Sequence, residues 1–138
     1  MNYLSPLEML YIWEQEKPNE IYLSQPIEGV WHNWTWKEVA EEVRKMAAYI
    51  KTLDMPQGSK IALLSKNCAH WMMTDMAIMM SGYVSVPLYP NLNAASLEKI
   101  LNHSEAKLLF VGKLDDYAIM KPGVPADLPC ITFPFYSE

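Results

Sequence analysis

Arginine is almost missing from this sequence: Arg44 is the only one in 138 residues. A site that grips phosphate or carboxylate with bidentate guanidinium forks can therefore contain at most one such fork. Basic residues as a whole are outnumbered, eleven to sixteen, and the net charge is −5. That balance disfavours nucleic acid as a partner, because phosphate neutralisation needs clustered lysine and arginine. Glycine is sparse too. The nearest two of its five copies, Gly112 and Gly123, stand eleven positions apart. Neither GxGxxG nor GxxxxGK[ST] can be written, so the chain has no recognisable phosphate cradle. Cys68 and Cys130 are too few and too far apart for a disulfide framework and read as reduced thiols. His32, His70 and His103 form no HExxH or Cys/His cluster, which leaves no metal site in view. The start, MNYLSPLEML, has neither the basic stretch nor the small-residue cleavage site of a secretory leader. No apolar run is long enough to span a bilayer, and the best, Trp71–Met80, carries Asp75. A cytoplasmic protein with at most peripheral membrane contact is expected.

What is present is a layered α/β pattern. Half the residues are apolar (51%), enough for a core in about one domain's worth of chain. Ile61–Leu64 and Val84–Leu88 are short runs without polar alternation, as strands buried on both faces are. Between them lies a nearly all-apolar helical stretch over 68–81, with Asn67 as its expected cap and Gly82 as its stop. Upstream, Ser5-Pro6-Leu7-Glu8 is a capping box opening a helix to about Glu16, with Leu7, Leu10, Tyr11 and Glu14 along one side. Glu20–Ser24 and Val30–Trp34 read as strands of an antiparallel hairpin at one edge of the sheet, turning around Pro26 and Gly29. Thr35-Trp36-Lys37-Glu38 is a second capping box. The helix behind it, Trp36–Leu53, places Val39, Val43, Met46, Ala47 and Ile50 on one face. Downstream, a helix over 94–103 capped by Asn93, a strand over 107–111, a helical turn over 115–120 and a strand over 128–133 complete the pattern. The αβαβαβ rhythm predicts right-handed crossovers on a mainly parallel sheet with helices on both faces.

Few residues stand out as chemistry. Asp75, inside an apolar helix, is expected to hydrogen-bond a neighbouring loop or face solvent rather than act in catalysis. Met72, Met73, Met76, Met79 and Met80 are expected to fill the core, with an acyl-chain wall as the sharper alternative. Trp34 and Trp36, on one side by alternation, are expected to close the sheet edge. Asp115 and Asp116 read as a solvated turn or helix start.

Taken in order, these pieces resemble the N-terminal portion of the adenylate-forming superfamily, most closely its long-chain fatty-acid–CoA ligases. The resemblance is carried by Thr35-Trp36 with Glu38 and Val39, Gly58 before Ile61–Ser65, and Asn67 with Trp71. It continues through Asp75 with Ala77, Gly82, Val86-Pro87-Leu88-Tyr89-Pro90, and the helix Leu97–Ser104 leading into Ala106–Val111. His70 departs from it, standing where many relatives have an acidic residue before the tryptophan. The resemblance implies a parent enzyme that uses ATP, with Mg²⁺, to convert a fatty acid to an acyl-adenylate and then transfers the acyl group to CoA. The family's phosphate loop, its Tyr-Thr-x-Glu segment and its ribose-binding aspartate have no counterpart in these residues, and Lys121 is not the family's catalytic lysine by context. No residue is assigned a catalytic, cofactor-binding or metal role. Residues 1–138 are expected to be a single α/β subdomain of a longer AMP-binding domain, inactive alone and binding no cofactor. Two alternatives compete: a non-catalytic module binding a protein or an acyl chain, and a flavodoxin-like nucleotide binder using strand ends near Ser65, Tyr89 and Gly112. Homodimerisation through the hairpin or a sheet edge is also expected.

Overall fold

The computed structural model describes residues 2–136. Helix α1 (Pro6–Glu16) precedes strands β1 (Ile21–Ile27) and β2 (Val30–Thr35). After these come α2 (Trp36–Thr52), β3 (Lys60–Leu64), α3 (Ala69–Met80), β4 (Val84–Leu88), α4 (Ala94–Ser104) and β5 (Leu108–Val111). A short helix α5 (Tyr117–Met120), a tight turn (Lys121–Gly123) and β6 (Cys130–Thr132) finish the fold. Both expected capping boxes form. Ser5 Oγ accepts from the Glu8 amide while the Glu8 carboxylate accepts from the Ser5 amide, and Thr35 and Glu38 repeat the arrangement. Each satisfies two amides that a helix start would otherwise leave unpaired.

Strands β3 to β6 form one parallel sheet in the order β4-β3-β5-β6. In register, Ile61 lies between Ser85 and Leu108, and Leu64 between Leu88 and Val111. The central strands are buried on both faces. Ile61, Leu63, Leu108 and Phe110 point into a layer with Leu10, Val39, Val43, Ile50 and Met73. Ala62, Leu64, Leu109 and Val111 point the other way, against Leu97, Leu101 and Met120. The connection from β3 to β4 moves outward in the sheet, and that from β4 to β5 crosses back beyond β3. With right-handed crossovers, α3 and α4 must then lie on opposite faces, which is what the two buried layers record.

The hairpin differs from its expected place. β1 and β2 pair antiparallel as a separate two-stranded sheet and do not extend the parallel one. Its turn is Glu28–Gly29, both at positive φ (51° and 81°), and Pro26 lies within β1 opposite Trp31. A two-residue loop with both residues left-handed suits the twist of hairpin strands, whereas the proline needs no ladder donor there. Trp34 and Trp36 therefore close no sheet edge. Trp36 stacks on Tyr22, centroids 3.7 Å apart, and lies 6.1 Å from Trp13, joining α1, the hairpin and α2. Trp34 meets His70 of α3 edge-on at 5.7 Å.

The start of α3 also differs. Its N-cap position is Cys68, not Asn67, and Cys68 makes no side-chain cap. The Ala69 amide instead donates to Oε1 of Gln25, a buried side chain from β1, at 3.3 Å. A distant residue thus does the work of a local cap. The last strand, Cys130–Thr132, is shorter than the 128–133 expectation, since Pro129 and Pro134 bracket it.

Candidate functional site

The β3 loop runs to α3 on one face of the sheet, whereas the loops after β4 and β5 run to the other. A crevice opens where neighbouring connections part in this way, outside the carboxyl ends of the strands. Here it is an open cleft of about 750 Å³, lined by Ser65, Lys66, Asn67 and Trp71 on the β3 side, Pro87–Pro90 from β4, and Lys113 after β5.

The walls are built by close contact of two loops. The Gly112 amide donates to the Leu64 carbonyl at 2.9 Å, and the Lys66 amide to the Lys113 carbonyl at 2.7 Å. The buried Ser65 hydroxyl donates to the Lys66 carbonyl at 2.7 Å and accepts from the Lys113 amide at 2.9 Å. A Cβ on Gly112 would sit 2.3 Å from the Phe133 ring and 2.5 Å from Ser65 Oγ, so glycine is required there. Lys66 pairs with Asp115 across the loops. Among the described residues, Lys113 has no ion-pair partner. Pro87, Pro90, half-buried Trp71 and Tyr89, 76% exposed, supply flat apolar surface.

Chemically, the cleft offers two lysines, one of them paired with Asp115, and apolar rings along the same wall. It holds no activated nucleophile, because the Ser65 hydroxyl is engaged with backbone on both sides. Among the described residues, no group of three His, Cys, Asp or Glu side chains could hold a metal. Ser65 and Tyr89 of the strand-end trio line the cleft. Gly112 braces it from behind and borders a separate hollow near Tyr136. Lys121 belongs to the turn packed on α4, where Gly123 approaches the Ala94 carbonyl. His32 and His70 come together, but in an aromatic cluster with Trp34, Phe133 and Phe135. Burial pushes the His70 imidazole below its ordinary pKa, and Glu42 partly offsets that. Asp75 accepts from Ser85 Oγ at 2.6 Å, so its partner is a strand rather than a loop. Met73 and Met76 are buried, while Met72 stays 39% exposed. Asp116 caps α5 through the Ile119 amide. Gln25, which fixes the first turn beside the cleft loop, gave no local signal, because its partner lies 44 residues away.

A doubly wound sheet with a cleft at its carboxyl edge defines an α/β fold of the class that binds ligands at the strand ends. The chain belongs to the AMP-binding enzyme family, whose sequence pattern matches residues 11–131. Its relatives are acyl-CoA ligases. It is 28% identical over 123 residues to the long-chain-fatty-acid–CoA ligase FadD15 of Mycobacterium tuberculosis, covering 89% of this chain and 20% of that protein. It is 33% identical over 77 residues to the long chain acyl-CoA synthetase 5 of Arabidopsis thaliana, covering 56% of this chain and 12% of that one. The chain thus spans no more than about a fifth of the length of these curated relatives. Among solved structures, the anthranilate CoA ligase AuaEII in complex with anthranoyl-AMP superposes with a TM-score of 0.81 at 20% identity. That match covers 97% of this chain and 26% of that one. IdnL1 superposes at 0.82 and 17% identity, with 96% and 26% covered. At these identities the structural likeness speaks for the fold.

Proposed function

We propose that this chain is the opening α/β subdomain of a longer cytoplasmic ligase. That ligase would activate a long-chain fatty acid with ATP to an acyl-adenylate and pass the acyl group to the thiol of CoA. The observation that carries the reading is the match to a long-chain fatty-acid–CoA ligase along 89% of the chain. A carboxylate becomes a competent acyl donor only when its oxygen joins a better leaving group, and the charge that develops on phosphate must be offset. Mg²⁺ would supply part of that offset in the family. The described residues bring together no set of carboxylates to hold it.

The part of the task that these residues suit is binding. An anionic, flat portion of a nucleotide substrate would lay its ring against Trp71 and Tyr89, with its charge toward Lys113 and Lys66. The chain alone, without a phosphate cradle, is expected to be inactive. The test uses a longer polypeptide that contains this chain, assayed for palmitate-dependent thioester formation. Activity is expected, and Lys113→Glu should raise KM for ATP or CoA about tenfold or more with kcat less affected. No thioester from the longer protein, or unchanged KM values for both nucleotides, would contradict the reading.

A further inference from the structure

Asp75 and the outer methionines of α3 take no part in the carboxyl-edge cleft. They line a second crevice, of about 230 Å³, where Met72, Asp75 and Met76 face Met9, Leu10 and Trp13 of α1. An apolar cavity of about 150 Å³ is enough to hold a benzene ring, so this one has room for a ring and a short chain. Met9 and Met72 are partly exposed, at 37% and 39%, and methionine adapts its shape to an occupant.

The charge of the lining decides what class of occupant fits. Among the described residues, Asp75 is its only ionisable group apart from the Tyr22 phenol. One Asp75 oxygen accepts from Ser85 Oγ, and among the described residues no lysine or arginine pairs with this carboxylate. On the opposite wall, α1 carries Glu8, Glu14 and Glu16 and no basic residue; Lys17, just past its end, lies over the Trp13 ring and pairs with Glu20. Glu14 is already answered by Arg44. A fatty carboxylate or a phosphate would meet like charge here. A cation would gain a charge-assisted hydrogen bond inside a largely apolar surround, where such bonds are strong.

We propose that the crevice between α1 and α3 binds a small amphiphilic amine, its ammonium on Asp75 and its apolar body among Met9, Leu10, Met72 and Met76. This site is separate from the cleft and does not depend on the ligase reading. The test titrates the chain, labelled with ¹³C at its methionine methyls, with 2-phenylethylammonium, 2-phenylethanol and 3-phenylpropanoate. Saturable shifts at Met9, Met72 and Met76 are expected with the amine. The alcohol should bind about tenfold or more weakly, and the carboxylate should leave the spectrum unchanged. Asp75→Asn should weaken the amine about tenfold or more, and Met72→Trp, at the rim, should block it with the amide spectrum otherwise intact. Equal binding of amine and alcohol to the unmodified chain, which needs no variant to fold, would overturn the proposal. So would an amine affinity unchanged by Asp75→Asn, or the absence of methyl shifts with the amine.

Discussion

The two layers that flank the parallel sheet are made differently. The layer of α4 and α5 is mostly aliphatic: Leu97, Leu101, Leu64, Leu88 and Val111 meet there, with a single buried methionine. The layer of α1, α2 and α3 holds Met73, Met76, Phe110 and Phe133, ringed by Trp34, Trp36 and Trp71. It is also crossed by polar ties between distant residues, from Gln25 to Ala69 and from Arg44 to Glu14. Local βα packing suffices on one side. On the other, α1 and the hairpin have no ladder joining them to the main sheet and must be held by side chains.

The difference should show first in the cost of cavities. Leu97 and Met73 are both fully buried. Leu97→Ala should destabilise by about 3–4 kcal/mol, and Met73→Ala by nearer 2, because flexible methionine surroundings collapse better into a gap. Urea midpoints for the two variants make the comparison, and a larger loss at Met73 would break it. Next in size is the long-range cap. Gln25→Ala should cost about 1–2 kcal/mol by leaving the Ala69 amide without a partner. Amide exchange should quicken in the first turn of α3 and in the hairpin, but not in α4. Thr74 offers a change of the other sign: its buried hydroxyl has no partner among the described residues, so Thr74→Val should raise stability by about 1 kcal/mol in the same urea assay.

The smallest expected effect is on pH dependence. His70 titrates below its ordinary value because burial disfavours the imidazolium, so the unfolded chain takes up its proton first as pH falls. The stability due to neutral His70 is therefore complete above about pH 6.5 and declines as pH drops toward its folded pKa. His70→Phe should flatten that part of the stability curve between about pH 7 and 5. An unchanged slope would mean that the aromatic cluster does not sense the proton.

The same division explains what could be read from the residues. Capping boxes, β3, β4 and β5, and α2 with its 3.6-residue stripe announce themselves, because their causes are local: a hydroxyl and a carboxylate three residues apart, or an apolar run between turn residues. The placement of the hairpin was not legible, since a strand pattern does not say which sheet it joins. Nor was the cap of α3, for Gln25 meets Ala69 only after the chain has folded. The cleft was legible in part, through Ser65 and Tyr89 at strand ends. The lysines that charge it were not, because their convergence depends on strand order. The fold also narrows the expected self-association: β4 carries Pro87 and β6 has three residues, so neither edge of the main sheet offers a long free ladder. Exposed Val30 and Trp31 leave the hairpin as the surface where copies would meet. If they do, Trp31→Lys should lower the sedimentation coefficient at high concentration, and a species that is monomeric before the change would contradict it.

On the proposed reading this chain contributes scaffold and a binding edge, while most of the grip on nucleotide phosphates lies in the rest of that ligase. Palmitate-dependent exchange of labelled pyrophosphate into ATP measures that grip directly. The 138-residue chain should give no exchange above background at any concentration, whereas a longer polypeptide that contains it should exchange readily. Exchange catalysed by the chain alone would contradict the account.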